Sequence, residues 1–137
     1  MVFLDANVFL YAAGATDPYH EPCRRVLRKV EEGSLPANTS AEVVQELLFV
    51  LWRRGLADKG IRLARSVIDL FPELLPQTRD ELRDACGILS RNSELTPRDA
   101  VHVATMRRHG IDTIVSADVH FDGIRGIRRV DPAQVGA

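Results

Sequence analysis

The sequence predicts an α/β domain built on a parallel sheet, and three observations point there. Short apolar runs such as Val2–Leu4 and Asp112–Ser116 alternate with longer segments of helical periodicity. Several of these runs are apolar on both faces, as strands covered by helices on either side must be. The chain has 137 residues with 45% apolar side chains, the size of one domain, and folding at that length buries about two-thirds of the surface the unfolded chain exposes. Residues 1–137 are therefore read as a single domain.

Val2-Phe3-Leu4 is a buried strand ended by Asp5, and Asn7 to Ala13 is a short helix closed by Gly14. After a turn at Thr16-Asp17-Pro18, a helix from about Glu21 to Glu32 sets Cys23, Val26, Leu27 and Val30 on one face. Arg24, Arg25, Arg28 and Lys29 lie mostly on the other, and Gly33 stops it. Leu35 to Asn38 is a second strand. Thr39 opens a helix to Arg54, stopped by Gly55, and another runs from about Asp58 to Phe71 with Ile61, Ala64, Ile68 and Phe71 as its apolar stripe. These two form a helix–turn–helix pair. Glu73 to Pro76 is a brief strand, and Thr78 to Ser90 a helix with Leu82, Ala85, Cys86 and Leu89 inward. Thr96-Pro97 begins a helix that reaches His109, Pro97 suiting the first helical position. Asp112 to Ser116 is a buried strand, and Ile127 to Val130 the last one.

The composition excludes several classes. The longest unbroken apolar runs, Val8–Ala13 and Leu47–Trp52, are six residues, whereas a membrane span takes roughly 20. The amino-terminal segment has no basic patch and carries Asp5 where a secretory signal would need an apolar core, so a cytoplasmic protein is expected. Cys23 and Cys86 are scattered and read as two reduced thiols. His20, His102, His109 and His120 show no HxxxH spacing, so no zinc site is expected. The net charge of −1 (18 basic, 19 acidic residues) argues on bulk charge against a nucleic-acid partner. Yet 16 of the 18 basic residues are Arg, whose planar fork suits phosphate, although a coding bias accounts for the excess equally well.

The placement of the acids is more informative. Asp5 directly follows the first strand, and Asp118 sits two residues past Ser116. Ligands of open α/β sheets bind beyond the carboxyl ends of the strands, so both should face one crevice. Glu46 and Asp99 lie on helices that would flank it. Each acid also has a structural reading. Asp5 can cap the helix that follows, Asp99 completes a Thr96 capping box, and Asp118 and Asp122 suit turns. Thr39-Ser40-Ala41-Glu42 fits a capping box, which accounts for Glu42 structurally and leaves Glu46, one turn on, as the functional acid. Four converging carboxylates need a cation among them. An all-carboxylate set without His or Cys points to Mg2+ or Mn2+, ions that favour phosphodiester hydrolysis. His102, one turn after Asp99, reads as a structural helix histidine.

VFLDAN at residues 2–7, TSAEVVQELL at 39–48, LTPRDA at 95–100 and VSADVHF at 115–121 resemble, in order and spacing, the PIN-domain ribonucleases, and among them the VapC-type toxins of bacterial toxin–antitoxin pairs. The resemblance implies a three-layer α/β/α sandwich with a projecting helix pair at Thr39–Phe71 that serves dimerisation and antitoxin binding. It also implies a Mg2+-dependent endoribonuclease, with Mn2+ as the other candidate ion. Asp5, Glu46, Asp99 and Asp118 would form the acidic cluster, with Asp5, Asp99 and Asp118 on the metal. Asn7 and Ser116 would be supporting neighbours, and Glu42 or Asp122 an added contributor. Its partners would be RNA, a small antitoxin and a second copy of the chain. A haloacid-dehalogenase phosphatase needs a second Asp where Asn7 stands, and a receiver domain needs a Lys at the end of a late strand. The remaining alternative is a non-catalytic PIN-like module that binds RNA or protein. With four to six acids in one cleft, the rest of the surface is neutral to mildly basic. Arg24-Arg25-Arg28, Arg53-Arg54, Arg107-Arg108 and Arg125-Arg128-Arg129 are then the candidate phosphate contacts.

Overall fold

Four short parallel strands, β1 (Val2–Leu4), β2 (Ala37–Asn38), β3 (Thr113–Val115) and β4 (Arg128–Val130), lie in the order β2-β1-β3-β4. The computed structural model describes residues 1–136, so Ala137, the last residue of the expected domain, lies outside the described residues. Six helices connect the strands: α1 (Ala6–Ala13), α2 (His20–Glu31), α3 (Ala41–Arg53), α4 (Ala57–Leu70), α5 (Arg79–Arg91) and α6 (Pro97–Arg108). Single 3-10 turns follow at Val119–Phe121 and Pro132–Gln134. β1 and β3 pair in register Phe3↔Ile114 and Leu4↔Val115, and all four side chains are buried. From β1 the chain crosses to β2 on one side, then returns past β1 to β3 on the other. α1 packs against α2 and α3, Phe9 of α1 meets Phe71 at the end of α4 edge to face, and α5 packs against α6, so helices cover the parallel sheet in the α/β arrangement the sequence predicts. Among the described residues no helix is long and apolar enough to cross a membrane.

Three local expectations are corrected. The helix after β2 does not start at Thr39. Thr39 and Ser40 stay extended because Leu75 pairs with them, its N–H donating to Thr39 O (3.0 Å) and its carbonyl accepting from Ala41 N (2.8 Å). Ser40 is therefore the N-cap, its Oγ accepting from Val43 N, while the Thr39 hydroxyl donates to Leu4 O (2.8 Å) and ties the start of α3 to the end of β1. The capping box of Thr39 and Glu42 does not form. The reciprocal box occurs at α5, between Thr78 and Glu81. On α4 the buried face is Gly60, Ala64 and Val67, with Ile61 and Ile68 exposed. On α5 it is Glu81, Ala85 and Ile88, with Leu82 and Cys86 exposed. Both helices carry apolar residues on two faces, and packing chose the face with the smaller or better-satisfied side chains.

The α3–α4 pair displays Phe49, Trp52, Leu56, Ile61 and Ile68, with Trp52 64% exposed and its ring 5.9 Å from that of Phe49. The two helices meet closely at Gly60, where a Cβ would stand 3.1 Å from Leu51 Cβ. Left-handed glycines end α3 and α6, Gly55 at φ 76° and Gly110 at φ 68°. Gly60→Val is expected to lower stability by about 1–3 kcal/mol in urea unfolding, since the added methyls meet Leu51 and the backbone of α3; a variant as stable as the parent would show the helices free to part.

Candidate active site

β1 and β3 are neighbours, and their carboxyl ends open side by side at the point where the strand order reverses, which is where α/β sheets form a crevice. Asp5 is the first residue beyond β1, and its N–H still donates to Val115 O (3.1 Å). Its carboxylate is buried and held on both oxygens. Oδ1 accepts from Ala6 N (2.8 Å), capping α1, and Oδ2 accepts from Ser116 Oγ (2.6 Å) and Asn7 Nδ2 (3.2 Å). The Ser116 hydroxyl accepts in turn from Asn7 Nδ2 (3.0 Å) and from Asp118 N (2.9 Å). The amide oxygen of Asn7 accepts from Ala117 N (3.3 Å). Asp118 begins the 3-10 turn, its Oδ1 accepting from His120 N (2.9 Å) and lying 3.1 Å from His120 Nδ1. The capping and turn readings of Asp5 and Asp118 are both correct, and neither role removes the residue from the crevice.

Helices α3 and α6 supply the opposite wall. Asp99 stands in the first turn of α6, its N–H bonded to Thr96 Oγ1 (3.2 Å). Glu46 points from α3 toward His102 of α6, whose Nε2 is 3.2 Å from Glu46 Oε1 and 3.8 Å from Asp5 Oδ1. The result is an inner set of Asp5, Glu46 and His102 and an outer set of Asp99, Asp118 and His120, with one donor atom of each residue within 4.8 Å of the others in its set. A cleft of about 620 Å³ is lined by Glu42, Glu46, Arg98, Asp99 and Asp118 among others; Asp5 and His102 are buried and do not line it.

Asp5, Asp99 and His102 depart from their ordinary protonation behaviour. Burial raises the pKa of Asp5, only partly offset by His102 and the Ser116 hydrogen bond. Burial, then the charges of Asp5 and Asp118, push Asp99 up to about 6, against the pull of His102 and Thr96. For His102 burial acts downward, but the Glu46 hydrogen bond and the nearby Asp5 and Asp99 charges outweigh it and raise the pKa. Carboxylates this crowded and desolvated are poor hosts for their own charge, and the cluster is able to hold a metal ion that would relieve it.

Of the expected supporting residues, Asn7 and Ser116 lie under Asp5 as described. Glu42 reaches the cleft but is paired with Arg98 Nε (3.1 Å). Asp122 does not line the cleft; its carboxylate accepts from Arg129 Nε (2.9 Å) and Nη2 (3.2 Å). None of the arginine stretches singled out in the sequence borders the cleft, whereas Arg98 does. Arg98 is an isolated charge between Pro97 and Asp99 that the sequence does not single out, and His102, expected as a structural helix histidine, has its partner Glu46 56 positions away.

Comparison with known proteins gives a consistent set of likenesses. The PIN domain family matches residues 2–127. A VapC ribonuclease of Mycobacterium bovis is 32% identical over 133 residues, covering 95% of this chain and 99% of its own. FitAcB from Neisseria gonorrhoeae has the same fold at a TM-score of 0.75 and 21% identity, covering 98% of this chain and 99% of its own. A toxin–antitoxin complex from Klebsiella pneumoniae contains a chain of TM-score 0.70 and 16% identity, with 96% and 98% covered.

The shifted acids set the pH dependence of the metal-free fold. A carboxyl whose folded pKa lies above its ordinary 3.8 binds protons more tightly when folded, so its contribution is full below that value and lost as pH rises through about 6 for Asp99. The raised pKa values of Asp5 and His102 act in the same direction. In EDTA, Tm is therefore expected to fall between about pH 5 and about pH 7, less steeply in Asp99→Asn, and a divalent cation should raise Tm more at the higher pH. A Tm that climbs across this window in EDTA would contradict the account.

Proposed function

The chain belongs to the PIN-domain family, and from that membership and its acidic cleft we propose that it is a Mg2+-dependent endoribonuclease, the toxin of a type II toxin–antitoxin pair. The observation that carries the reading is the gathering of Asp5, Glu46, Asp99 and Asp118 from four separate segments at one crevice. Residues 1–137 are taken as one such domain.

In this reading Asp5, Asp99 and Asp118 hold the cation through carboxylate oxygens, which suit Mg2+ and admit Mn2+. When bound, the ion supplies neutralisation of the phosphoryl oxygens and makes water a stronger acid. Glu46 or Asp118 would meet the cation through water or orient the attacking water for in-line displacement at phosphorus. Ser116 and Asn7 fix Asp5 by donating to its Oδ2. Glu42 acts indirectly, holding the Arg98 guanidinium at the cleft edge where it can meet a phosphate. Asp122 has no part, being committed to Arg129. No covalent intermediate is required.

The partners proposed are RNA, a small antitoxin and a second copy of the chain. The exposed apolar side chains of α3–α4, with Trp52 and Phe49 at their centre, form the surface offered to the two protein partners. The compartment proposed is the cytoplasm, which keeps thiols reduced. Cys86 is exposed and free, and Cys23 is buried, with burial pushing its thiol up to about 12.

The purified protein is expected to cut RNA internally with Mg2+ and to stop in EDTA. Asp5→Asn should slow cleavage by more than about a hundredfold, since an interaction worth several kcal/mol is lost. Cleavage that persists in EDTA, or an equally active Asp5→Asn, refutes the mechanism; a folded, cation-binding parent that leaves RNA intact favours the non-catalytic module. In bacteria, expression of the chain alone should arrest growth and co-expression of the adjacent small partner should restore it; normal growth with abundant folded protein would rule out the toxin role.

A further inference from the structure

His102 is fully buried at the base of the site, its ring 5.6 Å from that of Phe3, and the chemistry proposed above gives it no task. Its Nε2 faces two carboxylates, Glu46 Oε1 at 3.2 Å and Asp5 Oδ1 at 3.8 Å. Its Nδ1 is buried with no hydrogen-bond partner among the described residues.

These contacts decide which nitrogen carries the proton. A ring protonated only at Nδ1 would bury an unsatisfied donor and aim the Nε2 lone pair at two acceptors. With the proton on Nε2, the same geometry becomes a hydrogen bond donated to Glu46, and only an acceptor is left unsatisfied at Nδ1. The imidazolium also carries a proton on Nε2, so the donation is independent of the ring's charge. The geometry likewise argues against His102 as a ligand. A ring that binds a cation through Nε2 is bare at that atom and donates its Nδ1–H to a carboxylate, a carbonyl or water, and Nδ1 has no such neighbour here.

Glu46 depends on this one contact, whereas Asp5 is held at three points. Asp5 is held by Ala6 N, Ser116 and Asn7, and Asp118 by His120 N. Among the described residues the sole hydrogen bond to Glu46 comes from His102. We propose that His102 is a positioning residue whose Nε2–H reaches from α6 to α3, pins the Glu46 carboxylate and sets its spacing from Asp5, an inference that rests on reading these acids as the cation-holding set. Hydrogen bonds behind a metal site of this kind are worth about 10- to 100-fold in cation affinity.

Two measurements test it without relying on RNA cleavage. Nitrogen NMR of the imidazole in the metal-free protein should find Nε2 protonated; a bare Nε2 overturns the assignment. Calorimetric titration with Mn2+ then compares the parent with His102→Gln, His102→Asn and His102→Leu. The Gln amide nitrogen reaches toward the place of Nε2, Asn is one methylene too short, and Leu has no donor. Leu and Asn should weaken Mn2+ binding about tenfold or more, and Gln should recover most of that loss. If the Leu variant fails to fold, the comparison of Gln with Asn carries the test, and equal affinities for those two overturn the proposal. RNA cleavage by the parent is followed separately: a parent that binds Mn2+ and spares RNA removes the endoribonuclease reading and leaves the role of His102 to be decided by the titration.

Discussion

The buried hydroxyl of Ser116 joins the ends of the two central strands, and the site is arranged around it. Its one proton goes to Asp5 Oδ2, and its lone pairs accept from Asn7 Nδ2 and Asp118 N. One oxygen thereby fixes the carboxylate that follows β1, the amide in the first turn of α1 and the backbone that turns away after β3. An oxygen so buried must find partners, and this one is satisfied only when β1 and β3 are in register. Sheet pairing and site geometry are therefore the same event. The Thr39 hydroxyl does similar work one strand over, bonding Leu4 O and setting where α3, and with it Glu46, begins its climb over the crevice.

Around that anchor the molecule concentrates negative charge where it is least comfortable. Asp5 is desolvated, and Asp99 is half-buried between Asp5 and Asp118. Among the described residues the basic group paired with Asp5 and Glu46 is the His102 ring. The arginines that do approach are otherwise engaged, Arg98 with Glu42 and Gln45, and Arg129 with Asp122 and Ser116 O. The near-zero net charge of the chain averages an acidic crevice against an Arg-bearing exterior, which is why bulk charge was a poor guide to its partner.

Much of this was legible in the residues. Strands that end in an acid, and helices that open with one, mark a crevice wherever the sheet is parallel, and Asp5, Asp99 and Asp118 sit where that logic places them. Glu46 was set apart from Glu42 by a capping box that does not form, and both acids reach the cleft. What stayed hidden depended on distant partners. Nothing near Thr39 announces that Leu75 will pair beside it and delay the helix. Nothing near His102 announces Glu46. The inward faces of α4 and α5 were misread because Ile61, Ile68 and Leu82 are as apolar as the residues that replaced them, and periodicity does not rank two competing stripes. Close approach at Gly60 favoured the stripe without bulk.

The partners of that one hydroxyl come from opposite ends of the chain, Asp5 and Asn7 from its first turn and Ser116 through Asp118 from its last strands but one. β3 also lies inside the sheet, between β1 and β4, so it completes the centre of the sheet after β1 and β2 have already been made. A ribosome has to deliver everything between them before Asp5 can meet Ser116. Until then the nascent chain carries at most Asp5, Glu46 and Asp99, and not Asp118. The acidic crevice is thus among the last parts of the fold to be assembled.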